Sequence, residues 1–187
     1  MMLFMKLKRK KINRLAAVAL SAVFSSAAMA VPSNAADNKD IAFPACTASN
    51  GKQAEYHAIP SQDFRRSKML LAAASIIDDR ALIFYDKDNL HRLSPDARQY
   101  VLAHECYHLR AGHSEDAAKK QQNGEHISHD TVMKNENETI CAISKELNFN
   151  TAQINAVFTE IKKVADFPFY PILNAQTKLA LSCLPKP

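Results

Sequence analysis

Tryptophan is absent from this 187-residue chain, and glycine occurs three times. So little glycine leaves few positions for sharp turns and bulges. Together with long stretches of helical apolar spacing, it points to a mainly α (α+β) fold with one small sheet. The chain has no internal repeat and no low-complexity tract. An apolar run long enough to span a bilayer is missing too. The run from Leu15 to Ala30 falls short of the about 20 apolar residues a membrane helix needs. Lys6, Lys8, Arg9, Lys10, Lys11 and Arg14 precede it and Ala28-Met29-Ala30 closes it, so residues 1–30 read as a secretory signal peptide, with an uncleaved anchor as the alternative. No cysteine follows the cleavage point closely, Cys46 being the first, which argues against a lipid anchor.

A basic excess is missing as well. The formal charge of +5 belongs to the leader: residues 1–30 hold six of the 24 Lys and Arg and none of the 19 acids, so 18 bases and 19 acids remain. No basic stripe is left to recruit nucleic acid or an anionic membrane. The expected protein is exported, periplasmic or secreted, of bacterial type, with no stable membrane insertion once the signal is removed. Residues 31–40 read as a flexible polar leader and residues 41–187 as one domain.

Against these absences stands His104-Glu105-Cys106-Tyr107-His108. Histidines at i and i+4 lie one above the other on a helix and can share one metal ion, while Glu105, about 100° around, leans toward a water on that ion. Zinc with three protein ligands keeps a fourth position for water, brings its pKa down to about 7, and leaves a neighbouring carboxylate to take the proton. The flanks predict the helix this arrangement needs. Ser94 caps it, Pro95 opens it and Asp96 sits in its first turn. Ala97, Tyr100, Val101 and Leu102 follow, and Gly112 ends it after about Ala111. The capping box is incomplete, because Ala97 stands where Glu or Gln would reciprocate.

Two extensions of the motif supply a third ligand. The metzincin pattern requires glycine and histidine where this chain has Ala111 and Ser114, so it fails. The other takes a glutamate from a second helix, and Glu136-Asn137-Glu138-Thr139-Ile140 offers one. Here the chain resembles the gluzincin metallopeptidases, especially the M48-like group, whose second helix reads Glu-x-Glu-Ala-Asp. The resemblance covers roughly residues 81–147. It implies a zincin-like helical domain, Zn2+ as cofactor, Glu136 as third ligand beside His104 and His108, Glu105 as general base, and a protein or peptide substrate. Glu138, about 200° from Glu136, cannot face the same ion; Glu138, His126 and His129 stay open as substitutes. The family's aspartate is replaced by Ile140, so a carboxylate that would orient a ligating histidine is missing. The resemblance also implies a strand before the metal helix whose edge binds an extended peptide. Ala81 to Tyr85 is an apolar, aromatic run that reads as this strand or as a simply buried one.

Ser114 to Lys134 is polar and reads as an exposed connection, part of it helical. Glu136 to Leu147 reads as the second ligand helix, with Ile140, Ile143 and Leu147 on one face. Thr151 is expected to cap a third helix with Ile154, Val157, Phe158, Ile161 and Val164 inward. Phe167 to Pro171 breaks the pattern, and Ile172 to Leu184 forms a last helix. His57 and His113 read as surface histidines. Tyr85, Tyr107 and Tyr170 are candidate oxyanion donors. The four cysteines, Cys46, Cys106, Cys141 and Cys183, allow three pairings. Cys106 with Cys141 would lock the two ligand helices and Cys46 with Cys183 would tie the ends, although Cys106 points about 180° from the two histidines. Function is therefore expected to be an exported zinc peptidase. The alternatives are a non-catalytic zinc-binding, disulfide-stabilised envelope protein that holds a partner, and a disulfide-bonded envelope protein without metal.

Overall fold

The structure, a computed structural model, describes residues 41–66, 71–164 and 170–185. The expected signal peptide and leader lie outside these residues, as does the break from Phe167 to Phe169. The fold is mainly α with a small sheet: seven helices and three strands among the described residues. None of these helices is long and apolar enough to cross a membrane.

The apolar run Ala81 to Tyr85 forms the centre of β3 (Arg80–Asp86), because aromatic and β-branched side chains suit a pleated surface covered on both sides. It is the middle strand. β1 (Glu55–Ile59) pairs with it in parallel and β2 (Ala72–Ile77) antiparallel, in the order β1-β3-β2. Strand alternation sends Ile83 and Tyr85 into the main core and Leu82 and Phe84 to the other face, against Ile59 and Ile77. With both edges paired, β3 is the buried strand of the two readings and offers no edge to a peptide. That position falls to β2, which packs along the motif helix.

The β2–β3 hairpin turns through Asp78 and Asp79, both left-handed at φ 50° and 61°. Such a turn matches strand twist but strains non-glycine residues, and external bonds help offset the strain. Asn50 donates to Asp79 and the Lys52 ammonium lies 3.4 Å from its carboxylate. α1 (Ser61–Arg66) follows β1, and α2 (Lys87–His91) follows β3. Buried Asp86 caps α2, accepting from the Asn89 N–H and from the Ser61 hydroxyl.

The motif helix is α3 (Pro95–Arg110), with Ser94 accepting from the Ala97 N–H at 3.3 Å. Its inward side, including Ala97, Tyr100, Leu102, Cys106 and Leu109, is buried. Gly112 adopts φ 80°, which a Cβ would strain, so α3 ends and α4 (His113–Gln122) begins at once. The expected connection is therefore helical in its first half. α5 (His129–Glu146) starts earlier than the apolar spacing indicates, at the Ser128 cap, because its first two turns face outward and carry no apolar stripe. α6 (Thr151–Val164) buries Ile154, Val157, Phe158 and Ile161 as predicted. Each such side chain contributes about 1.5–3 kcal/mol through burial. Its cap is Asn150, not Thr151: Asn150 accepts from the Gln153 N–H and Gln153 returns the bond to the Asn150 N–H, a reciprocal capping box. α7 (Tyr170–Cys183) closes the bundle against α5 and α6.

The disulfides correct the expected pairing. They are Cys46–Cys106, with Cα atoms 5.7 Å apart, and Cys141–Cys183, at 5.2 Å. The reason is angular. Cys106 faces away from the histidines, toward the segment before β1, where Cys46 is 3% exposed. That segment also wraps the end of α3, its Ser49 N–H donating to the Leu109 carbonyl at 2.9 Å. α3 is thus tied to the N-terminal segment and α5 to α7.

Candidate metal centre

Two helices bring the chemistry together. α3 presents His104 and His108 from its last turns, and α5, packed against it, presents Glu136. The His104 and His108 Nε2 atoms are 3.1 Å apart. Glu136 spans both rings, Oε2 at 3.3 Å from His104 and Oε1 at 3.3 Å from His108. Each nitrogen therefore faces its own carboxylate oxygen, and one ligand atom from each residue lies within 4.8 Å of the others. Tetrahedral zinc, with bonds of about 2.0–2.1 Å, holds neighbouring ligand atoms about 3.3 Å apart, and each nitrogen–oxygen pair here is at that spacing. The donor set of two imidazoles and a carboxylate also matches zinc's preferences and leaves a fourth position free. His104, His108 and Glu136 are the group of this kind found among the described residues.

The candidate substitutes lie elsewhere. His126 and His129 are exposed, and His129 sits 3.8 Å from Asp130 at the start of α5. Glu138, on the other side of its helix, accepts from the Tyr107 hydroxyl at 3.3 Å.

Surroundings divide the two acids. Burial pushes the Glu136 carboxyl up, but hydrogen bonds and charge from His104 and His108 outweigh it and hold the group well below the ordinary carboxylate range. Glu105 is pushed up to about 7, chiefly by burial and further by the Glu136 charge, while His108 and the Ala74 N–H of β2 pull the other way. Edge strand β2 therefore touches the acid that would act as base.

His113 is not a surface histidine. Its side chain is 12% exposed, and its Nδ1 lies 3.1 Å from the Nδ1 of His108. Were His108 Nε2 to bind a metal, its Nδ1 would carry the proton and donate to His113, whose own Nε2 lies 3.9 Å from Glu138. A chain thus runs His108, His113, Glu138, Tyr107. It supplies from α4 the orienting partner that Ile140 cannot give. Burial and the His108 charge lower the His113 pKa, in keeping with a neutral acceptor ring. The sequence signal was slight: a histidine directly after the helix-ending glycine, which sends the chain back over the turn it has just left. His57 is half-buried rather than free on the surface, 3.6 Å from Glu55 on β1.

Of the tyrosines, Tyr85 is fully buried and stacks near Phe43 at 5.2 Å, which removes it as an oxyanion donor. Tyr107 is engaged with Glu138, and the Tyr170 side chain lies outside the described residues. Beside His108 and Glu136 a cleft of about 260 Å³ opens between α4 and α5, with Lys120, Ile127, Val132 and Lys134 among its walls.

No protein-family model, curated protein or solved structure matches this chain.

Proposed function

We propose that the protein is an exported zinc-dependent peptidase, periplasmic or secreted, of the M48-like gluzincin type, that hydrolyses peptide bonds. The observation that carries this reading is the cluster of His104, His108 and Glu136 donor atoms, with Glu105 on the adjoining position of α3. A zinc ion held by these three residues would supply Lewis acidity and a water with a pKa of about 7.

The remaining chemistry belongs to the chain. Glu105, with a pKa pushed to about 7, takes a proton from the attacking water and gives it to the amine nitrogen as the peptide bond breaks. The Ala74 N–H holds its carboxylate against β2. Glu136 stays ionised between the imidazoles and keeps them together. His113 fixes the His108 ring and its tautomer. The free edge of β2 beside α3 gives an extended substrate a strand to pair with. Two disulfides suit an oxidising compartment outside the cytoplasm.

Cleavage of casein by the signal-less, zinc-loaded protein tests the reading. Wild type is expected to cleave and Glu105→Gln to retain zinc without cleaving. Zinc binding with no cleavage in the wild type would leave the non-catalytic zinc-binding envelope protein as the better account, because that role has no use for Glu105.

A further inference from the structure

We propose that the cleft between α4 and α5 is a subsite for an acidic side chain, held by Lys120 and Lys134, on a residue flanking the bond to be cut. The proposal takes its substrate from the peptidase reading above, and its charge preference from the cleft lysines beside the metal centre.

The cleft begins at the metal centre. His108 and Glu136 form one end, α4 and the first two turns of α5 form the walls, and the about 260 Å³ it encloses suits one side chain rather than a cofactor. Ile127 and Val132 supply apolar wall against which the methylenes of a side chain can lie. Its lining holds two lysines and two acids, and they differ in how they are paired: Glu136 is engaged with His104 and His108. Lys120 on α4 is half-buried, Lys134 stands on α5, and neither has an ion-pair partner among the described residues. The contrast with Lys119 is informative. One residue earlier on the same helix, Lys119 lies outside the cleft and is paired with Glu115 at 2.8 Å. Asp116 is the other acid of the wall besides Glu136, and its charge acts on His113 and Lys119. With Glu136 engaged by the two histidines, Lys120 and Lys134 face Asp116 alone, and a dication held at the centre would add positive charge, which leaves the cleft attractive to a carboxylate. A half-buried ammonium without a counter-ion also gains more from such a partner than one already paired.

The test reads binding, so that it does not depend on catalysis. Zinc-loaded Glu105→Gln protein is titrated with fluorescent alanine-based peptides identical except for a central Glu, Gln or Lys, and anisotropy is followed in low and high salt. The Glu peptide is expected to bind about tenfold more tightly than the Gln peptide, with a smaller advantage in high salt. The advantage should vanish in Lys120→Gln/Lys134→Gln, and Lys120→Glu/Lys134→Glu should favour the Lys peptide. Both variants change side chains on the rim and should keep wild-type helicity and zinc content. Equal binding of Glu and Gln peptides, a preference that survives the double substitution, or no binding of any peptide would overturn the proposal. Cleavage by wild type without acidic preference removes the subsite and keeps the peptidase. Acidic preference in binding with no cleavage by wild type does the reverse.

Discussion

Glu105 and Glu136 flank the same pair of imidazoles and live in opposite electrostatic settings. Glu136 lies between the rings, within 3.3 Å of both, and its charge is matched on the spot. Glu105 is turned toward β2, where burial outweighs the single N–H of Ala74 and the attraction of His108. The first environment makes a permanent anion, as a ligand must be. The second makes a carboxylate that gains and loses a proton near neutrality, as a base that also serves as acid must do. On the proposed function two residues of one type thus take two roles, assigned by what surrounds them.

The largest effect expected from breaking this contrast is on turnover. Glu105→Gln keeps the shape and removes the proton acceptor, so kcat against casein should fall about 100-fold to 10,000-fold with zinc content unchanged. A variant that kept its rate would remove Glu105 from the chemistry. The second effect is on stability of the metal-free protein. A carboxyl whose folded pKa is raised contributes stability that is fully present below its ordinary value of 4.5 and is lost as pH rises through about 7. Glu136, with its pKa depressed, contributes the opposite: stability present above the ordinary carboxylate range and lost as pH falls through its folded value. Urea denaturation of the chelator-treated protein should therefore show wild type losing up to about 3 kcal/mol relative to Glu105→Gln between pH 4.5 and 7. Parallel pH profiles for the two proteins would show that Glu105 is not buried as described.

Legibility in the sequence followed the range of the interactions. Ser94, Pro95 and Gly112 are local signals, and they mark α3 correctly at both ends. The choice of Glu136 over Glu138 came from the gluzincin resemblance, helix geometry adding only that the two cannot share one ion, and the two residues do face different partners. The cysteine pairing was not legible, because it depends on where residues 41–54 run in space, although the direction of Cys106 already opposed a bond to α5. β2 escaped notice because Ala72-Ala73-Ala74 carries no strand preference and is held extended by its register with β3. His113 was misread because its contact crosses a helix break that periodicity does not see.

A smaller expected effect sharpens the contrast by loosening the histidine that both acids feel. His113→Leu removes the acceptor for His108 and should weaken zinc binding about 10-fold to 100-fold in a competition titration. His113→Asn, with an oxygen near the position of Nδ1, should recover much of the loss, and both should unfold near the wild-type temperature when metal-free. Equal affinities for all three proteins would make the His108–His113 contact incidental.

The central claim is that one metal ion is held by His104, His108 and Glu136, and calorimetric titration of zinc into the signal-less, metal-free protein tests it most directly. The account predicts one ion per chain for wild type and for Glu138→Ala, and an affinity reduced more than about 100-fold in Glu136→Ala. No zinc binding by the wild type, or binding that Glu138→Ala abolishes and Glu136→Ala leaves intact, would contradict it.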